Sequence, residues 1–211
     1  AKRLRKPLIL DVFDLWPELF ELTLPRNLRP LARLMFSPLY WLRRQNYTRA
    51  DGLTSLCNTY LEVARKATSK SRIVPSVTTF NGIDLAAFRA LLPDECEVTR
   101  LRFQMGKKPD EVWAIYTGSL GNNYDIKTVL RASLQTQGGA SRIKVWILGE
   151  GPLRPYVTEF IDAHRLDNVA FLGTMLPPRE LITLYRACDI ALCPYTAESN
   201  VGMPNKSYDY M

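Results

Sequence analysis

From residue 112 onward, short apolar runs alternate with stretches whose apolar residues recur at helical spacing, and this constrains the fold more than any other feature. The apolar runs lie at 112–117, 143–148, 168–172 and 189–193. Between them are 125–137, then 153–164 with Leu153, Tyr156, Val157, Phe160 and Ile161 on one face, then 179–187 with Leu181, Leu184 and Tyr185. Strand–helix alternation with connections this short predicts an α/β fold, a right-handed parallel sheet covered by helices on both faces. In such sheets ligands bind beyond the carboxyl ends of the strands. The loops in question are 118–124, 149–152, 173–178 and 194–205, and each contains Gly or Pro.

The first of these loops, in the segment Tyr116-Thr117-Gly118-Ser119-Leu120-Gly121-Asn122-Asn123-Tyr124-Asp125-Ile126, joins a buried-type strand to an amphipathic helix. Two glycines let backbone N–H groups approach an anion, and a helix N-terminus adds unpaired donors and the positive end of its dipole. A phosphate is the natural ligand. By itself a G-x-x-G turn is weak evidence, because βα turns also use glycine for tight turning.

The N-terminal part is less regular. Leu8 to Phe13 and Gly52 to Leu56 read as strands, and Asn58 or Thr59 is placed to cap a helix running to about Ala67. Arg72 to Val74 reads as a short strand before the turn dipeptide Asn81-Gly82. The predicted organisation is 1–88 as part of one domain, 89–110 as a connection, and 111–211 as a second domain. No apolar run is long enough to span a bilayer, and no secretory signal pattern is present. The start without Met and the helical pattern at the end lead us to expect further residues on both sides. The four cysteines, Cys57, Cys96, Cys188 and Cys193, are too sparse for a disulfide scaffold and match no zinc spacing, which points to a reducing compartment.

The net charge of +7 is unevenly placed. Between Leu22 and Ala50 there are six arginines (Arg26, Arg29, Arg33, Arg43, Arg44, Arg49) and no acid, with Phe36, Tyr40, Trp41 and Tyr47 interleaved. Leu28, Leu31, Met35, Leu39 and Leu42 recur at helical spacing, broken near Pro38. Segment 26–49 therefore suits an anionic membrane surface or a helix pair packed on its own domain with a solvated arginine face. No nucleic-acid-binding module accompanies it, so nucleic acid is not expected as a partner.

In their order along the chain, six motifs resemble those of the retaining nucleotide-sugar glycosyltransferases of family 4. They are Asp14-Leu15-Trp16-Pro17-Glu18; Asn81-Gly82-Ile83-Asp84 followed by Phe88; Tyr116 to Arg131; Val145 to Leu153 with Gly149 and Gly151; Val169 to Gly173 with Glu180-Leu181 and Tyr185 to Pro194; and Gly202 to Met211. The resemblance covers the chain from about Leu8. It implies a GT-B-like fold of two Rossmann-like domains with parallel sheets, both incomplete here. It also implies transfer from a nucleotide diphosphate-sugar to a glycan or lipid-linked acceptor, with retention, in polysaccharide assembly. No cofactor or metal is expected, and no Asp-x-Asp motif occurs. The implied location is cytoplasmic, peripheral on the inner face of the membrane.

By the same resemblance, Gly118, Ser119, Leu120, Gly121, Gly149, Gly151, Met175, Leu176, Asn205, Lys206 and Asp209 are donor-binding. Lys206 is suited to neutralise a departing phosphate, and Asp209 to accept from the ribose hydroxyls. Asp14 and Glu18 on the acceptor side, with Lys206 at the donor phosphate, form the candidate catalytic set. Asp14 follows a strand and faces either the acceptor or the helix start at Pro17. The chain departs from the family pattern at Val201, eight positions before Asp209, where many relatives have an acid, with Glu198 three residues out of register. It departs also at Ser119, where many have Arg. His164 ends a helical face and is read as structural. Two other functions stay open: a GT-B-like epimerase or hydrolase of nucleotide sugars, and a non-catalytic nucleotide-sugar or protein-binding module.

Overall fold

The computed structural model describes residues 6–22, 24–68, 73–138, 142–197, 199 and 202–211. The chain divides into two compact units, the first running to Asn81 together with Gly202 and Met203, the second comprising Gly82–Ser199 and Pro204–Met211. Val201 and Glu198, singled out in the sequence, lie outside the described residues.

The first unit contains β1 (Ile9–Val12), α1 (Glu18–Leu22), α2 (Arg29–Met35), α3 (Ser37–Arg49), β2 (Gly52–Ser55), α4 (Asn58–Ala67) and β3 (Ser76–Thr78). Its three strands are parallel in the order β1-β2-β3, with Leu53 opposite Leu10 on one side and Ser76 on the other. Tyr60, Leu61 and Ala64 fall on one face of α4 and bury against Val12, Leu53 and Val74, with Met203 and Tyr47 packed at the edge. Two expectations are corrected here. The third strand is not Arg72–Val74 but Ser76–Thr78, because pairing with β2 sets the register and Val74 serves as a buried approach to it. Asn58 begins α4 and does not cap it; its amide oxygen instead accepts from the Thr78 hydroxyl.

The basic stretch forms α2 and α3, and the break falls at Phe36, with Pro38 accommodated in the first turn of α3, where no N–H is needed. Leu31, Leu34, Met35 and Trp41 are all more than half exposed. Arg43 turns inward, bonding to Glu18 at 2.5 Å and to the Trp16 carbonyl at 3.1 Å. Among the described residues no helix is long and apolar enough to cross a membrane.

The second unit contains α5 (Leu85–Ala90), α6 (Glu95–Gln104), β4 (Val112–Thr117), α7 (Ile126–Gln135), β5 (Ile143–Leu148), α8 (Arg154–His164), β6 (Val169–Phe171), α9 (Pro178–Ala187), β7 (Ile190–Ala191) and α10 (Lys206–Tyr210). All its strands are parallel, in the order β6-β5-β4-β7. Successive residues of β4 alternate between two cores. Ala114 and Tyr116 join Leu120, Ile126, Leu130, Ile147 and Val157 on one face. Trp113 and Ile115 join Trp146, Leu148 and Leu184 on the other. Burial on both faces explains why β4 and β5 read as continuous apolar runs. Each fully buried aliphatic side chain there contributes about 1.5–3 kcal/mol of transfer free energy.

Residues 89–110 carry α6, which is closed at its start by a reciprocal Asp94–Glu97 capping box. It packs on α9, with ion pairs from Arg179 to Glu97 at 2.8 Å and from Arg186 to Glu95. His164 stacks on Phe160 at the exposed end of α8, its ring nitrogen 2.9 Å from the Phe160 carbonyl. Cys188 ends α9, and burial pushes its thiol up to about 12.

Candidate active site

The site lies at the carboxyl ends of β4 and β5, within the second unit. β4 runs into Gly118, whose φ of +135° only glycine adopts without strain. The N–H of Gly118 donates to the Leu148 carbonyl at 2.9 Å, and that of Leu120 to the Glu150 carbonyl at 2.8 Å. Leu153 N–H returns to the Leu120 carbonyl at 2.9 Å. The two glycine loops are thus joined main chain to main chain. A Cβ on Gly149 would overlap the Gly118 carbonyl, and one on Gly151 would sit 2.7 Å from the Leu120 oxygen.

The first loop is held from below as well. Leu120 is fully buried, and the Tyr116 phenol donates to the Ser119 carbonyl at 2.6 Å. Among the described residues the N–H groups of Ser119 and Gly121 meet no acceptor, so every second donor along the loop is available to a ligand. The helix that follows is capped by its own acid: Asp125 accepts from Thr128 N–H at 3.1 Å and from the Thr128 hydroxyl at 2.8 Å. The first turn of α7 thus faces a carboxylate of its own, while the N–H groups of Ser119 and Gly121 stay unpaired among the described residues.

Lys206 opens α10 and extends its side chain across Gly118, so closely that a Cβ there would overlap it. Its ammonium lies 4.0 Å from the centroid of the Tyr124 ring and 5.5 Å from that of Tyr116. Among the described residues it has no ion-pair partner. Burial pushes the phenols of Tyr116 and Tyr195 well above their ordinary value, so both stay neutral around it. Helix α10 is docked by Tyr210, whose phenol oxygen accepts from Thr117 N–H at 3.1 Å; the Thr117 hydroxyl in turn meets Tyr185 at 2.7 Å.

The structure brings together Gly118, Ser119, Leu120, Gly121, Gly149, Gly151 and Lys206. Asp209 lies on the wall of a concavity of about 470 Å³ lined also by Tyr185, Arg186, Tyr208 and Phe88. Burial raises its carboxyl above the ordinary value against the opposing Lys206 charge. Asn205 is exposed at the start of α10. In the loop after β6, Met175 is half-exposed while Leu176 packs into the second core. Asp14 and Glu18 belong to the first unit. Asp14 is exposed and lines an open concavity of about 690 Å³ with Phe13, Trp16, Phe20 and Arg43. The Glu18 carboxylate is held by Arg43. Sequence reasoning missed Tyr124, Tyr195, Thr117 and Tyr210; the only signal was the recurrence of Tyr in the loops after β4 and β7 and in the last helix.

Interlocked glycine loops at the ends of parallel strands belong to an α/β protein, and its likeness to the solved structures below gives the fold as part of a GT-B one. Residues 111–211 match the model of a family described as glycosyl transferases group 1. Among solved structures, Anabaena Alr3699/HepE in complex with UDP and glucose is similar over 94% of this chain and 49% of its own, at 19% identity and a TM-score of 0.63. WaaG, a glycosyltransferase involved in lipopolysaccharide biosynthesis, is similar over 89% of this chain and 50% of its own, at 14% identity and a TM-score of 0.59. A UDP-forming α,α-trehalose-phosphate synthase from Burkholderia vietnamiensis is similar over 99% and 49%, at 11% identity and a TM-score of 0.67. The chain spans about half the length of these structures. A search of curated proteins gave no match.

Proposed function

We propose that this protein is a retaining, metal-independent glycosyltransferase that moves a sugar from a nucleotide diphosphate-sugar to a hydroxyl of a glycan or lipid-linked acceptor. The observation that carries the reading is the Lys206 ammonium, without a carboxylate partner among the described residues, lying across Gly118 beside the unpaired N–H groups of Ser119 and Gly121. One cation and two unpaired main-chain donors suit a diphosphate, and they stabilise it best as it departs with extra negative charge. Ser119 supplies no charge, so Lys206 carries the cationic role. Retention rests on the resemblance to family 4, in which the departing diphosphate accepts the proton of the incoming hydroxyl. The aromatic concavity beside Asp14 favours a sugar or lipid-linked acceptor, and Asp14 is suited to orient its hydroxyl.

Arg26, Arg29 and Arg33 line one open concavity beside α2 together with Glu21 and the exposed Leu34. This favours a peripheral place on an anionic, cytoplasm-facing membrane and a role in surface polysaccharide assembly. Titration of the chain with UDP, GDP and ADP and their sugar conjugates tests the donor reading. Thermal stabilisation by one nucleotide series, with the nucleoside alone much weaker, is expected; no stabilisation by any of them overturns it. Co-sedimentation with vesicles of increasing anionic lipid content tests the membrane reading, which fails when binding ignores that content.

A further inference from the structure

We infer that Tyr124 is a positioning residue that holds the Lys206 ammonium over the first glycine loop, an inference that rests on the proposed diphosphate site. Lys206 is a long, flexible side chain on a helix of five residues, and an unrestrained ammonium would spend most of its time in water. The Tyr124 ring face lies 4.0 Å from its Nζ, well inside the range of a favourable cation–π contact.

Tyr124 is itself fixed from three directions. Its ring packs against Tyr195 at 5.2 Å, inclined by 44°, and meets Tyr116 edge-on at 5.9 Å. Its backbone forms an isolated antiparallel bridge with Tyr195. The flanking N–H of Asp125 donates to the Pro194 carbonyl at 2.9 Å, and the N–H of Thr196 to the Asn123 carbonyl at 3.1 Å. The loop after β7 therefore braces the ring against the loop after β4. An aromatic seat suits this role better than a carboxylate would. It restrains the ammonium without neutralising it, so the full charge remains for a phosphate.

The role is tested with Tyr124→Phe, Tyr124→Leu, Lys206→Met and the Tyr124→Leu/Lys206→Met double variant, using UDP, GDP and ADP against their nucleosides. Reductive ¹³C-methylation of lysines reports the seat directly, since a methylated ammonium over a ring face resonates upfield. The Lys206 resonance, assigned by its loss in Lys206→Met, should be upfield in the parent chain and in Tyr124→Phe, and return toward the solvent value in Tyr124→Leu. Tyr124→Leu should bind the diphosphate about three- to tenfold more weakly, with nucleoside affinity unchanged and Tyr124→Phe close to the parent. In the Lys206→Met background Tyr124→Leu should cost nothing more, which an effect on packing alone would not reproduce. A Lys206 resonance at the solvent value in the parent chain overturns the seat. Parent-like diphosphate binding by Tyr124→Leu, or a loss that persists without Lys206, overturns the positioning role. A parent chain that binds no nucleoside diphosphate overturns the donor reading together with it, and is told apart because the parent itself then fails.

Discussion

The backbone N–H of Thr117 donates to the phenol oxygen of Tyr210 at 3.1 Å, joining positions 93 residues apart in sequence. One hydroxyl thus ties the last residue of the central strand to the short helix that carries Lys206. The Tyr185 and Tyr210 rings meet edge to face at 5.1 Å, which completes the anchor.

Tyr210→Phe keeps the ring and removes the oxygen, leaving a buried N–H without its acceptor. Urea denaturation should show a loss of about 1–3 kcal/mol in the second unit. Diphosphate affinity should fall with it, because α10 loses its hold on β4. Unchanged stability would mean that water or another group satisfies Thr117.

The seam between the glycine loops predicts a sharp contrast between two glycines. Gly149→Ala forces a side chain at φ +152° into the Gly118 carbonyl, whereas a Cβ at Gly82 meets nothing within 4 Å. Gly149→Ala should cost more than about 3 kcal/mol or prevent soluble folding, while Gly82→Ala stays within about 0.5 kcal/mol. Thermal unfolding of the two variants side by side decides it.

Lys206→Met removes the charge and keeps much of the apolar stem. Nucleoside diphosphate affinity should fall about tenfold or more, the range of a lost charge-assisted hydrogen bond. Nucleoside affinity should not change. Calorimetry at two salt concentrations checks both, since only the parent should show the salt-dependent component.

Asp189 offers a pH test away from the site. Burial alone would raise its carboxyl, but the bonds from Lys107 at 2.6 Å and Trp113 N–H at 2.7 Å outweigh it and hold the group below the ordinary aspartate value. A depressed folded-state value stabilises above the unfolded value and is lost as pH falls through the folded one. Asp189→Asn should therefore be less stable at pH 7, by under about 1 kcal/mol given its partial exposure. The difference should narrow below about pH 4. A constant difference from pH 7 to pH 2 would assign the effect to packing.

Much of the second unit was legible in the sequence because each central strand is buried on both faces and each helix on one. Both patterns are local, and helices 126–135, 154–164 and 178–187 fall within two residues of their expected ends. The glycine loops were legible for the same reason: tight main-chain contact excludes every other residue. The third strand of the first unit was not, because Val74 looks more strand-like than Ser76, and only pairing with Leu53 fixes the register. Tyr124, Tyr195 and Tyr210 escaped notice because their partners are set by the sheet order. No spacing along the chain announces that a loop at 124 will meet a loop at 195 and a lysine at 206.

The seam that Gly118 and Leu120 make with Leu148, Glu150 and Leu153 is made only of peptide groups, which every amino acid but proline supplies in full. It carries no chemical signature by which one nucleotide is told from another, and substitution has almost no vocabulary there. An engineer who wants a different ligand preference must leave Gly118, Leu120, Gly149 and Gly151 untouched and work around them, on Ser119, Met175 and Asp209. A random library should show the same division, with the seam nearly blank and the rim populated by survivors.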